Sequence, residues 1–170
     1  MIHESDKVNQ IVITESNINF ETIHSKQYYP KEYDSEVKKA NLLLLPYEGF
    51  NASTRNVFPE ETMQFYKHIK EFDDNNLISE ICISDEEYSE LELHADVVSI
   101  ANMIIEIAIL PIAVGLITNY LDRKIQRRKT DLKIKVNMIV VDGEKSKSIS
   151  YEGDADKFEQ TIKAAENQLK

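Results

Sequence analysis

From residue 97 to residue 121 the chain is almost uninterruptedly apolar, and it then runs into Arg123, Lys124, Arg127, Arg128 and Lys129. A stretch of that length has two homes. About 20 apolar residues span a bilayer as a helix, or the segment is buried within a folded core. Glu106 lies mid-segment and would cost about 2.5–3.5 kcal/mol at a membrane centre; Asn102, Pro111 and Gly115 dilute the segment further. The core reading leads, and it predicts a long kinked helical pair. One helix runs from about residue 85 to 109, opened by the capping-box pattern Ser84-Asp85-Glu86-Glu87. A second is begun or kinked by Pro111 and continues to about residue 128, with Ile112, Leu116, Tyr120 and Ile125 available to pack inward. The competing reading inserts residues 97–121 into a membrane from the cytoplasmic face, with the following cations as a positive flank.

The remaining pattern is that of a mixed α/β or α+β chain: a small mixed sheet with flanking helices and a C-terminal strand hairpin followed by a helix. Val8 and the Ile11-Val12-Ile13 run predict a first strand, and Ile18, Phe20 and Ile23 a second. Tyr33, Val37 and Ala40 allow a short helix. The run Leu42-Leu43-Leu44-Leu45 reads as a strand covered on both faces. After a polar loop, Pro59 in the first turn and Phe65, Ile69 and Phe72 at helical spacing predict a helix. A strand over residues 77–83 completes a strand–helix–strand crossover. Leu132, Ile134, Val136, Met138 and Val140 alternate with polar residues and predict a half-buried strand. Asp142-Gly143 is a hairpin turn leading to a strand over 146–151, and Phe158, Ile162, Ala165 and Leu169 give a last helix with Asp154 as its cap. With 170 residues, these regions (1–84, 85–129 and 130–170) are expected to pack as one compact unit.

The net charge is −10, yet residues 123–135 hold seven Lys/Arg against one Asp, Lys133 and Lys135 included. So acidic a chain repels nucleic-acid phosphates outside that patch, and the patch has no interleaved aromatic residue on which bases stack. The reading therefore disfavours nucleic acid and favours a protein partner or a second copy of this acidic chain. The one cysteine, Cys82, sits in an apolar strand pattern and is expected as a buried thiol, not a nucleophile. The N-terminus has neither a basic patch nor an apolar run, so a cytoplasmic location is expected.

Residues 110–121, the cations Arg123 and Lys124, the strand 132–141, the turn Asp142-Gly143 and the helix 154–169 together resemble the small constant accessory components that accompany effector proteins in bacterial conflict and antiphage defence systems. The resemblance covers less than half of the chain. It implies an accessory role without defining a reaction.

No catalytic constellation is legible. His3, His24, His68 and His94 are scattered without ligand spacing and read as surface or cap residues. Asp73-Asp74 and Glu86-Glu87 suit a helix end and a helix start, so no cofactor or metal is expected and an enzyme is disfavoured. The local candidate for a small anionic ligand is the loop holding Asn51, Ser53, Thr54 and Arg55, placed between a buried strand and a helix start. The leading expectation is a non-catalytic accessory or interaction protein that uses Ile112, Leu116, Tyr120, Arg123, Lys124, Arg127, Arg128 and Lys129 against its partner. The alternatives are a membrane-associated component and a small-ligand sensor or enzyme using the 51–56 loop.

Overall fold

The computed structural model describes residues 10–49, 55–73, 76–92, 97–127 and 132–169. The chain is a mixed α/β fold with a small sheet, flanking helices, one long helix and C-terminal strand and helix elements. In order these are β1 (Gln10–Ser16), α1 (Asp34–Lys39), β2 (Leu42–Leu45), β3 (Phe58–Pro59), α2 (Thr62–Lys70), β4 (Ser79–Ile81), β5 (Glu90–Leu91), β6 (Val98–Ser99), β7 (Asn102–Glu106), α3 (Leu110–Arg127), β8 (Lys133–Asp142), β9 (Lys145–Asp154) and α4 (Phe158–Ala165).

The main sheet runs β1-β9-β8-β7-β2-β4, with β6 end to end with β7 along the same side of β8. β7 is parallel to β8, β2 antiparallel to β7, and β4 parallel to β2. The expected crossover from β2 through α2 to β4 is present. β8 and β9 form a hairpin in which Asp142 pairs with Lys145 across a two-residue turn, and Gly143 takes the positive φ of 65° that such turns require.

Pleat alternation divides the residues. Ile134, Val136, Met138 and Val140 of β8, with Ile149 and Tyr151 of β9, are fully buried on one face, where Tyr151 meets Phe158 of α4 edge to face at 5.4 Å. On β2 and β7, Leu42 to Leu45 and Met103 to Ile105 are buried whichever way they point. Those strands are therefore covered on both sides, and the N-terminal segment adds Ile23, Tyr28, Val37 and Ala40 to the same core.

Four expectations are corrected. First, the described residues within 85–109 do not form the first helix of a pair. The Ser84 carbonyl instead accepts the amides of Glu87 and Tyr88 to close a turn, Glu90–Leu91 pairs with β3, and residues 98–106 enter the sheet as β6 and β7. Only the second helix exists, starting one residue before Pro111, where a missing N–H is harmless. Second, residues 18–23 form no strand. Asn19 Oδ1 accepts from the amides of Glu21 and Thr22 at 2.9 Å and folds the chain into the 3-10 turn Thr22–Ser25. Third, Pro59 belongs to β3, and Phe72 lies past the end of α2, exposed. Fourth, Asp154 pairs with Lys133 and makes no cap; α4 follows the 3-10 turn Ala155–Lys157. Among the described residues no helix is long and apolar enough to cross a membrane.

Two outcomes follow. Ile104→Ala, at the centre of the doubly covered strands, is expected to cost about 2–5 kcal/mol, read from the shift of the urea midpoint. Burial pushes the Cys82 thiol up to about 12, so alkylating reagents at neutral pH should modify it only after denaturation.

Candidate functional site

A cleft with aromatic walls lies beside the edge strand β4. Its volume is about 500 Å³, and three tyrosines from separate segments line it: Tyr33 just before α1, Tyr66 on α2 and Tyr88 in the turn after β4. Met63, Ile81 and Ile83 supply further apolar lining, while Glu80, Ser84 and Asp85 supply the polar groups. Among the described residues, no Lys or Arg lines it.

Each phenol donates to a carboxylate. Tyr33 Oη donates to Asp85 Oδ2 at 2.9 Å, Tyr66 Oη to Glu80 Oε2 at 3.3 Å, and Tyr88 Oη to Glu90. The Tyr88 ring stacks on Phe58 at 5.0 Å, which fixes it over the start of α2. Glu90 also accepts from the amides of Glu61 at 2.9 Å and Met63 at 3.0 Å. These are unpaired donors at the positive end of α2, so a carboxylate from β5 caps the helix. Glu61 has the left-handed φ of 67°. Its amide is held by Glu90 and its carboxylate by Lys124, which explains how a non-glycine residue is kept there.

The tyrosines are donors throughout the neutral range. Burial pushes Tyr66 up to about 12. Burial also raises Tyr88, with the Glu90 hydrogen bond next, while Tyr33 is raised first by its hydrogen bond to Asp85. Phenols so placed present O–H groups and ring faces and not phenolate nucleophiles. Alongside the cleft, Lys70 Nζ lies 5.5 Å from the Tyr66 ring centroid and 3.6 Å from Glu80, so the fold already sets one ammonium against an aromatic ring and a carboxylate.

The residues singled out by sequence are distributed differently. Leu116 and Tyr120 are 5% and 8% exposed and belong to the core; Ile112, at 41%, is open. Tyr120 packs edge-on against Phe65 at 5.1 Å. Lys124 is mostly covered, ion-paired with Glu61 and 5.2 Å from the Tyr120 ring centroid. Arg123 is exposed and Arg127 ends α3; Arg128 and Lys129 lie outside the described residues. Lys133 pairs with Asp154. Two cations of the basic stretch thus serve internal pairs. Asn51, Ser53 and Thr54 also lie outside the described residues. Arg55 donates to Ser89 Oγ at 3.1 Å and shares a second hollow of about 460 Å³ with Tyr88 and with Glu86 and Glu87, whose carboxylates oppose an anion there.

His68, which reads from the sequence as a surface or cap residue, is buried at 5% exposure. Its Nε2 lies 3.1 Å from the Leu116 carbonyl, which can only accept, so Nε2 carries the proton and ties α2 to α3. Its place three residues after Phe65 and next to Ile69 was the available signal. The tyrosine cleft had no such signal, because Tyr33, Tyr66 and Tyr88 share no periodicity.

Raised phenol values make a prediction of definite sign. A group held neutral in the fold contributes stability fully present below its unfolded value and lost as pH rises through its folded one. Tyr66 and Tyr151 move from 10.0 to about 12. Stability from these two groups should thus persist to pH 10 and fall towards about 12. In an alkaline titration their tyrosinate absorbance should lag behind that of the denatured chain.

Compared with protein-family models, curated proteins and solved structures, the chain matches none.

Proposed function

We propose that this chain acts by binding and not by reaction, as a cytoplasmic accessory or interaction protein that takes a cationic group of a protein partner into the tyrosine cleft. The observation that carries this reading is the lining itself: three phenol rings and the carboxylates of Glu80 and Asp85, with no cation among the described lining residues and with Lys70 alongside, against Glu80 and the Tyr66 ring. An ammonium or guanidinium over a ring face gains about 0.5–1 kcal/mol at exposed sites and more when desolvated. The carboxylates supply the matching charge, and the apolar lining accepts a methylene stem. The overall charge of −10 favours the approach of a basic segment. The Lys70–Tyr66–Glu80 arrangement is an internal precedent for the contact. The resemblance of the C-terminal part to accessory components of defence systems implies a role of the same kind, in which recognition suffices.

Calorimetric titration of the whole chain with a short lysine-rich peptide, and with the same peptide acetylated on its side chains, tests the proposal. Only the charged form should bind. Asp85→Asn and Glu80→Gln should each weaken it about 2- to 5-fold. Tyr33→Phe, which keeps the ring, should change it little. Equal binding of charged and acetylated peptides, or no effect of either carboxylate variant, would contradict the proposal.

A further inference from the structure

Among the described residues, one edge of the main sheet lacks the devices that stop edges from pairing. β1 is matched to β9 residue for residue along its full length, without a bulge. It has no Lys, Arg or Pro, its one charge, Glu15, lies across from Lys147, and Val12 stands 55% exposed. Exposed strands of this kind template another strand unless charge, proline, a bulge or brevity intervenes. The opposite edge has two of these protections: β4 is only three residues long, and Glu80 at its middle is paired with Lys70.

The hairpin shows which backbone groups of β1 are open. A two-residue turn makes Asp142 and Lys145 the closing hydrogen-bonded pair. Alternation then aims Ser146, Ser148, Ser150 and Glu152 at β1, where their partners are Ser16, Thr14, Val12 and Gln10. Ile11, Ile13 and Glu15 therefore point their N–H and C=O groups away from the sheet. Among the described residues, no backbone hydrogen bond outside the regular elements reaches those three.

We propose that β1 pairs antiparallel with β1 of a second copy about a two-fold axis at Ile13, continuing the sheet from one copy to the other. That register sets Ile11 opposite Glu15 and Ile13 opposite itself, so the residues with open backbone groups become the hydrogen-bonded pairs. Val12 falls opposite Thr14 and Gln10 opposite Ser16. The strand is compatible with its own reverse: its single charge meets an isoleucine, and no like charges oppose. This self-complementarity, which an isologous contact requires, is what selects a second copy as the occupant. Each copy carries −10, so added salt should strengthen the dimer by screening the mutual repulsion.

Sedimentation of the full chain over a range of concentration and salt, with amide exchange on the same samples, tests this. The expected result is a salt-favoured monomer–dimer equilibrium in which the amides of Ile11, Ile13 and Glu15 become protected only in the dimer. Those of Val12 and Thr14 should be protected at every concentration. Val12→Lys and Glu15→Pro should each be monomeric with an unchanged circular dichroism spectrum; the second removes an outward N–H without touching the β1–β9 ladder, and so serves if the first impairs folding. A monomer at all concentrations, including one whose β1 pairs only with a different protein, would overturn the proposal. So would a dimer that leaves the three amides exchanging, or a monomer in which they are already protected.

Discussion

The parallel pairing of residues 103–106 with residues 138–141 is the contact on which the rest of the structure depends. It joins two β systems that are otherwise separate: β2 and β4 from the N-terminal half, and the β8–β9 hairpin with β1. It also sets the first part of the long apolar stretch, read from the sequence as helix or membrane span, in the middle of a sheet, while the second part forms α3. Ile104 and Ile105 are fully buried there between Leu43 and Leu42 on one side and Ile139 and Val140 on the other. Where both neighbours and both faces cover the strand, at Met103, Ile104 and Ile105, there is no solvent face and the residues are apolar; the polar Asn102 and the exposed Glu106 stand at its two ends.

That requirement explains where sequence reading succeeded. β8 has one face half open, so Lys133, Lys135 and Asn137 alternate with Ile134, Val136 and Met138, and the strand is legible from its period. β7 carries no period because both of its faces are covered, and a short apolar run without a period reads equally as helix or strand. What separated the two was the start of α3 at Leu110, with Pro111 next. The turn at Ser84 misled because its Ser-x-x-Glu pattern also suits a helix start, whereas the Glu that caps a helix here is Glu90, acting on α2 from another segment.

The cleft illustrates a different kind of illegibility. Its phenols come from a 3-10 turn, a helix and a loop, and its carboxylates from β4 and the turn after it. The crossover placing α2 against β4 brings these together, and no local spacing encodes that. Conversely, the conspicuous cations after residue 121 are in part structural, with Lys124 holding Glu61 at the start of α2 and Lys133 holding Asp154. A strong sequence feature thus stabilises the frame, while the proposed recognition surface is built from scattered residues.

Residue-resolved chemical shifts of the whole chain during addition of a lysine-rich peptide test the central claim most directly. The account predicts that the largest changes fall on the ring resonances of Tyr33, Tyr66 and Tyr88 and on the amides of Glu80 and Asp85. Changes centred instead on Ile112 and Arg123, or none at saturating peptide, would contradict it.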